Sequence, residues 1–489
     1  MPDKKDSTQR KKKPNAKKKH PLNRPEIIVT SCLFGLLFAV LIGYLGYFTA
    51  TSEQEMLNNS YNSRQAILLS RNYRGTIYSA DGDVLAQTAL DGHQGETRVY
   101  PYANLFSHIV GYATKGRTGI ESLANYYLIN TSTSLSNKAA NDVAGLKNPG
   151  DSVYTTLDVA LQKTADEQLG IYKGAIVVTQ VSTGKILAMV SHPNFDPNQI
   201  ASAWDSIIAD ENSSVLLNRA THGQYPPGST FKIVTALGYI RENPDTYDSY
   251  SFQCTGSFRS GESRIKCYHG TNHGQVDFVS SFAKSCNCSF ANIGTSLSKE
   301  TFGEILDDLL FNQPLPLTLS YKESSAIPTG GQSVSEVMQT SIGQGRTQMT
   351  PIHLNMITSA IAYGGVLMKP YVIDRVENDA GRVIKSYQPS SYGPLMTEEE
   401  AAELRELMTA VVEGGTAKKL SGLSYTAAGK TGSAEYNDQG DSHAWFTGFA
   451  PAQDPEICVT IIVEGAGSGG DYAVPIARRI FDAYFSREK

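Results

Sequence analysis

From residue 27 to 52 the chain carries no charged side chain and is rich in Leu, Ile, Val and Phe. About 20 apolar residues cross the hydrocarbon core of a bilayer, so this run predicts one transmembrane helix with some tilt. Tyr44 and Tyr47 fall near its outer end, where amphipathic rings settle at the membrane interface. Beyond it the apolar runs shorten. Residues 174–181 and 185–190 are of strand length and flank Ser182-Thr183-Gly184, a hairpin signal. Near the C-terminus 430–435, 445–449 and 457–463 read as three further strands, the last after the turn at Asp454-Pro455, and 473–485 reads as an amphipathic helix. Two early and three late strands predict one five-stranded, largely antiparallel sheet. The intervening 229–420 is mostly helical by period and is expected to cover one face of it, giving an α+β class.

The stretch 53–150 differs. It mixes short strand-like runs, such as Arg74-Gly75-Thr76-Ile77 and Arg98-Val99-Tyr100-Pro101, with many Gly, Asn and Ser. It holds no catalytic grouping and reads as a non-enzymatic spacer. Residues 150–158 look like an extended entry into the next domain, with Asp158 placed to cap the helix containing Leu161 and Leu169. The expected organisation is a segment 1–26, an anchor 27–52, a small mixed domain 53–150 and a main domain 151–489.

Charge separates the first of these from the rest. Residues 1–26 hold ten Lys/Arg against Asp3, Asp6 and Glu26, a surplus of seven, while the whole chain is at −5 and the remainder therefore at −12. A basic head alone suits a nucleic-acid tail. Followed directly by an apolar span, it instead marks the cytoplasmic end and puts everything after Ser52 outside. The span is too long for the usual apolar part of a signal peptide and no A-x-A cleavage site follows, so an uncleaved anchor is expected.

Six cysteines are few for a disulfide scaffold, and their spacing shows no zinc pattern. Cys32 lies in the span. Cys286 and Cys288 flank Asn287 and are poorly placed to pair with each other. Cys254 and Cys267 bracket a Gly-, Ser- and Arg-containing loop outside the cytoplasm, where a bridge between them is permitted but not fixed by spacing.

The chemistry lies in three short motifs in fixed order. Ser229 and Lys232 stand in Tyr225-Pro-Pro-Gly-Ser-Thr-Phe-Lys232, three residues apart at the start of a helix over 229–240, so the amine reaches the hydroxyl. Serine is a poor nucleophile at its own pKa and needs a base. Lys232 serves once burial and a cationic neighbour such as Lys430 lower its pKa. Ser285-Cys286-Asn287 offers a hydroxyl for proton relay and an amide to hold Lys232. Lys430-Thr431-Gly432-Ser433 reads as an edge strand. Gly432 is expected to clear room for a ligand backbone, while Thr431, Ser433 and Lys430 face a carboxylate. Each motif alone is common. The ordered set S-x-x-K, S-x-N and K-T-G is the signature of penicillin-interacting serine acyltransferases.

The chain therefore resembles a class B penicillin-binding protein, the monofunctional D,D-transpeptidase of bacterial cell-wall synthesis. The resemblance extends to His192-Pro-Asn-Phe-Asp-Pro-Asn198, Asn218-Arg219-Ala220, Ser341-Ile-Gly-Gln-Gly345 with Thr350-Pro351, and Gly414-Gly-Thr-Ala417. Arg74-Gly75 and the stretch from Tyr100-Pro101 to Gly119-Ile120-Glu121 resemble the family's N-terminal pedestal. It implies the serine β-lactamase-like transpeptidase fold on a pedestal, with peptidoglycan stem peptides as substrates and β-lactams as acylating ligands. Ser229 is implied as nucleophile, Lys232 as base, Ser285 and Asn287 as relay, and Lys430, Thr431, Gly432 and Ser433 as the carboxylate-binding strand. No cofactor or metal is implied, nor any nucleic acid. Ser433 and Glu435 stand where Thr and Gln are usual. A β-lactamase is disfavoured because no E-x-x-L-N segment follows Asn287 to activate water. A D,D-carboxypeptidase shares the first half-reaction and stays open. No glycosyltransferase domain precedes Ser229, so the resemblance implies a SEDS-type glycosyltransferase as partner.

Overall fold

A computed structural model describes residues 25–58, 64–91, 95–326, 333–437 and 441–486, so that most of the basic segment lies outside the described residues. The chain forms two units, Met1–Asn62 and Ser63–Lys489. In the first, one helix runs over Pro25–Asn58, and its Pro25–Phe48 stretch is long and apolar enough to cross a membrane. Its described side chains are exposed, with Leu, Ile and Phe on all sides. A helix apolar all round suits lipid or a protein core, and this stretch is compatible with one membrane-spanning anchor.

The second unit is built on two sheets. The main one is five-stranded, with the longer strands, and wholly antiparallel, in the order Ala428–Glu435, Ser442–Ala450, Ile457–Val463, Gly174–Gln180, Ile186–His192. Every residue of Ser442–Ala450 and of Ile457–Val463 is buried. Successive side chains point to opposite faces, so both faces must be covered. Helix Pro351–Ala362 packs on the sheet through buried polar contacts. Asn355 accepts from Thr179 Oγ1 at 2.8 Å, and the Thr358 and Thr447 hydroxyls meet at 2.7 Å. Val159–Leu169, capped by Asp158 accepting from the Leu161 N–H at 2.8 Å, and Ala473–Phe485 pack against each other and the same sheet. The expected sheet and closing helix are both present.

The middle of the chain is less helical than its period suggested. Residues 251–277 form two antiparallel strand pairs, Ser251–Cys254 with Gly274–Asp277 and Ser257–Ser260 with Ser263–Lys266, and the strands Ile373–Glu377 and Val383–Ser386 leave the middle section altogether. They complete a six-stranded sheet in the order Val383–Ser386, Ile373–Glu377, Ser152–Thr155, Ile77–Tyr78, Val84–Leu90, Glu96–Val99. Four-residue polar strands carry too little periodicity to be told from turns, which is why they were missed. The pedestal thus draws two of its six strands from the middle section.

Its centre is Glu121, whose side chain is fully buried. Arg74 Nε and Arg98 Nε donate to its two carboxylate oxygens at 2.5 and 2.7 Å, the Tyr100 hydroxyl donates at 3.1 Å, and Arg74 Nη1 donates to Asn125. Tyr100 is in turn clasped by Asn198, whose amide accepts from its N–H at 2.9 Å and donates to its carbonyl at 3.0 Å. Arg74-Gly75, Tyr100-Pro101, Gly119-Ile120-Glu121 and the His192–Asn198 segment, read separately from sequence, are thereby one joint between pedestal and main sheet. Burial alone would raise the Glu121 carboxyl, but the guanidinium groups of Arg74 and Arg98 outweigh it and hold it lowered. Glu121→Ala strands two largely buried guanidinium groups and is expected to cost about 3–5 kcal/mol, read as a lower urea midpoint. With its pKa depressed, the stabilisation is present above the unfolded carboxyl pKa and fades as pH falls through the folded value, so the gap to wild type narrows in acid. A gap that stays constant into acid would show that the carboxylate's charge is not what holds the joint.

Candidate active site

Pro226-Pro227-Gly228 ends the regular backbone, and Ser229 follows in the short helical turn Gly228–Phe231, which runs straight into helix Lys232–Glu242. Ser229 therefore precedes the α-helix by one tight turn rather than opening it. Gly228 takes φ +55°, and a Cβ there would lie 2.8 Å from Ala434 Cβ and 2.9 Å from the Ser433 carbonyl. Only glycine lets the nucleophile's turn press this closely on the edge strand. The turn is pinned from behind. The Gly228 N–H donates to the Gly343 carbonyl at 2.8 Å and Trp445 Nε1 donates to the Pro226 carbonyl at 3.1 Å. Arg219 and Tyr225 both donate to Glu464 Oε1 at 2.7 Å. Asn218-Arg219-Ala220 and Ser341–Gly345 act here as supports.

Lys232 Nζ sits at the centre, with no exposure. It is 3.1 Å from Ser229 Oγ, 3.1 Å from Ser285 Oγ, 2.7 Å from the Ser285 carbonyl and 2.7 Å from Asn287 Oδ1. Ser285 lies between helices Phe278–Ala283 and Asn287–Ser296 at φ +55°. A non-glycine residue held there costs of order 1–3 kcal/mol, and the conformation turns both its carbonyl and its hydroxyl toward Lys232. Lys430 Nζ, equally buried, donates to the same hydroxyl at 2.9 Å. Burial lowers Lys232 to about 8, with the nearby cysteine sulfurs pulling the other way, and burial followed by the charge of Lys232 lowers Lys430. The geometry brings together what the chemistry requires: an amine of lowered pKa on the Ser229 hydroxyl and a second hydroxyl joining two lysines.

The edge strand divides its side chains by the two-residue period of β-structure. Thr431, Ser433 and Glu435 line a cleft of about 1030 Å³ together with Ser229, Ser285 and Asn287. Lys430 and Gly432 point the other way. Two expectations change. Lys430 reaches the Ser285 hydroxyl and does not line the cleft. The missing side chain of Gly432 faces inward, where a Cβ would stand 3.1 Å from Pro227 O, Thr230 Cγ2 and Trp445 Cβ, so this glycine admits the nucleophile's turn and not a ligand. Thr431 Oγ1 meets Thr416 Oγ1, giving the Gly414–Ala417 segment its place. His443 stacks on Tyr436 with ring centroids 4.2 Å apart and accepts from the Gly465 N–H, while Trp445 is fully buried.

Sequence reasoning missed the far wall of the cleft. Lys266, Tyr268 and His269, from the strand pairs of 251–277, line it, and Asn287 Nδ2 donates to the Lys266 carbonyl at 3.1 Å. The cysteines in and beside that wall are unbridged. Cys254 and Cys267 have their sulfurs 3.7 Å apart, and Cys286 and Cys288 lie against Cys267. Cysteine spacing along the chain gave no sign of this convergence.

Residues 174–482 match the family described as penicillin binding protein transpeptidase domain, and 74–153 match the penicillin binding protein A dimerisation domain. The peptidoglycan D,D-transpeptidase PbpA of Mycolicibacterium smegmatis is 30% identical over 434 residues, covering 83% of this chain and 87% of that one. Among solved structures, the imipenem acyl-enzyme complex of penicillin-binding protein A from M. tuberculosis superposes with a TM-score of 0.78 at 28% identity, covering 85% of this chain and 99% of that one. The D,D-transpeptidase domain of a peptidoglycan glycosyltransferase from Eggerthella lenta gives 0.77 at 29% identity, covering 85% and 98%.

Lys232 acts as a base only when neutral, and its pKa is lowered to about 8. The rate of Ser229 acylation is expected to climb as pH rises toward that value and to level above it. A rate flat between roughly pH 6 and 9 would rule out Lys232 as the base.

Proposed function

The chain belongs to the penicillin-binding protein transpeptidases, and from that premise we propose that it cross-links peptidoglycan stem peptides through an acyl-enzyme on Ser229. The observation that carries the reading is the placement of Lys232 Nζ within hydrogen-bonding distance of Ser229 Oγ, Ser285 Oγ and Asn287 Oδ1 at once. Neutral Lys232 takes the proton of Ser229 Oγ as that oxygen bonds to the carbonyl carbon of the penultimate D-alanine. Backbone N–H groups of Ser229 and Ser433 receive the oxyanion, each worth about 3–4 kcal/mol in comparable sites. The proton then passes from Lys232 through the Ser285 hydroxyl, which Lys430 also contacts, to the departing nitrogen, and the C–N bond breaks to release D-alanine. An amine of a neighbouring stem attacks the ester, its proton returns to Ser229 by the same route, and the new amide is the cross-link.

Thr431 and Ser433, whose side chains line the cleft, hold the donor's terminal carboxylate, with the charge of Lys430 behind them. A β-lactam carries a carboxylate and a strained amide in the same relation and acylates Ser229 in place of the substrate. The basic residues of 1–26 keep the N-terminus in the cytoplasm, so the helix from Pro25 anchors an extracytoplasmic catalytic unit in the bacterial plasma membrane. Glycan polymerisation falls to a separate partner, a SEDS-type glycosyltransferase in the same membrane.

Labelled penicillin tests the nucleophile on the full chain in detergent. Wild type should label covalently, Ser229→Ala should not label, and Ser285→Ala should slow labelling by roughly 10²–10⁴-fold as a lost proton relay. Labelling of Ser229→Ala at the wild-type level would remove the assignment. Pentapeptide strands should yield cross-linked dimers together with free D-alanine. Release of D-alanine without dimers would make the chain a carboxypeptidase.

A further inference from the structure

Cys254, Cys267, Cys286 and the imidazole of His273 converge at the wall of the cleft, brought there from four separate places in the chain. Cys254 ends the strand Ser251–Cys254, Cys267 follows Ser263–Lys266, His273 precedes Gly274–Asp277, and Cys286 is the middle residue of the Ser285-Cys286-Asn287 motif. The three sulfurs are buried and the imidazole is half-buried. Their ligand atoms lie within 4.8 Å of one another, with Cys254 to Cys267 and Cys267 to Cys286 at 3.7 Å and Cys254 to His273 Nδ1 at 3.5 Å.

These separations discriminate between two chemistries. A disulfide brings its sulfurs to about 2.05 Å and leaves no role for an imidazole. Ligands about 2.3 Å (sulfur) and about 2.0–2.1 Å (nitrogen) from one tetrahedral Zn²⁺ stand about 3.7 Å apart for a sulfur pair and about 3.5 Å for sulfur and nitrogen. We propose that Cys254, Cys267, Cys286 and His273 form a closed structural site for one Zn²⁺. The shell around them suits thiolates. The Gly256 N–H points at Cys254 Sγ and the Ser289 N–H at Cys286 Sγ, each at 3.4 Å, and backbone donors of this kind offset thiolate charge. Cys288 touches only the Cys267 side of the cluster, 3.3 Å from its sulfur, and its thiol is directed at the Ile265 carbonyl, which makes it a neighbour and not a ligand.

Four protein ligands leave no open position, so the ion is a fastener. It joins the wall carrying Cys254, Cys267 and His273 to the one residue between Ser285 and Asn287, alongside the hydrogen bond from Asn287 to Lys266. Cys286 and His273 are positioning residues. The ligands are dispersed along the chain, which is why no C-x-x-C spacing announces them.

The test is made on the full chain in detergent, purified without an affinity tag, added metal or reductant. Elemental mass spectrometry should find one zinc per chain, and unfolding with a chelator should release six titratable thiols, one for each cysteine. Cobalt exchanged for zinc should show thiolate-to-metal charge-transfer absorption. Cys254→Ser, Cys286→Ser and His273→Ala should surrender the metal to a chelator that wild type withstands, while Cys288→Ser keeps it. Chelated wild type should acylate with penicillin more slowly while Ser229 stays intact. Absence of zinc with four thiols missing would mean two disulfides and overturn the proposal, and both measurements are made on unmutated protein, so a variant that fails to fold does not obscure them. Zinc retained in Cys254→Ser would also overturn it, and loss in Cys288→Ser with retention in His273→Ala would overturn the imidazole as fourth ligand. Failure here leaves the Ser229 labelling result untouched.

Discussion

Two buried lysine amines share one serine hydroxyl at the inner wall of the cleft, and the site is arranged around that crowding. Lys232 and Lys430 both have no exposure, and both reach Ser285 Oγ. Two like charges at that separation oppose each other's protonation, and burial opposes both. Double protonation is thereby disfavoured, and the neutral form that lets Lys232 take a proton from Ser229 is brought closer to the working range of pH. The protein stabilises the remaining charge with carbonyl oxygens and with aromatic faces. Lys232 lies 5.6 Å from the Phe290 ring centroid and Lys430 5.4 Å from that of Phe282. Phe282 and Phe290 belong to the two short helices that meet at Ser285.

That meeting point explains the left-handed backbone of Ser285. A residue in an ordinary helical link would direct its carbonyl and its hydroxyl apart. At φ +55° both converge on Lys232, and Asn287 at the next helix start completes the ring of acceptors. The strain is held by structure on every side, including the wall that carries Lys266 and the cysteines. The same economy of space operates at Gly228, where the nucleophile's turn meets the edge strand, and at Gly432 on the strand itself.

Much of this was legible in the chain because the signals were either strongly periodic or ordered. The five strands of the main sheet and the closing helix are long apolar elements, and the strand expected at 457–463 and the helix at 473–485 coincide with Ile457–Val463 and Ala473–Phe485. The three motifs fixed Ser229, Lys232, Ser285, Asn287 and Lys430 as partners before any distance was known. What stayed hidden has physical reasons. The strand pairs of 251–277 are four residues each and polar, so they show no face. The six-stranded sheet draws Ile373–Glu377 to Ser152–Thr155 across more than two hundred residues, a pairing no local pattern encodes. The cysteine cluster is likewise a product of tertiary closure, since its members are brought together only when those strands fold over the Ser285 motif.

The edge strand shows how one motif can serve two masters without conflict. A period of two puts Lys430 and Gly432 on the buried side and Thr431, Ser433 and Glu435 on the cleft side. The buried pair is constrained by the lysine network at Lys430 and, at Gly432, by close packing against Pro227, Thr230 and Trp445. The cleft positions have lighter ties to the protein, Thr431 to Thr416 and Ser433 to the Gly469 N–H. It follows that the departures from the usual family pattern, Ser433 and Glu435, both fall on the face where substitution leaves the catalytic network intact. Ser433 keeps a hydroxyl for a carboxylate but lacks a methyl to fix its rotamer. Glu435, exposed at the rim, adds a negative charge on the path of an anionic ligand, and because it stands in solvent its effect falls on approach and ionic-strength dependence more than on the chemical step at Ser229.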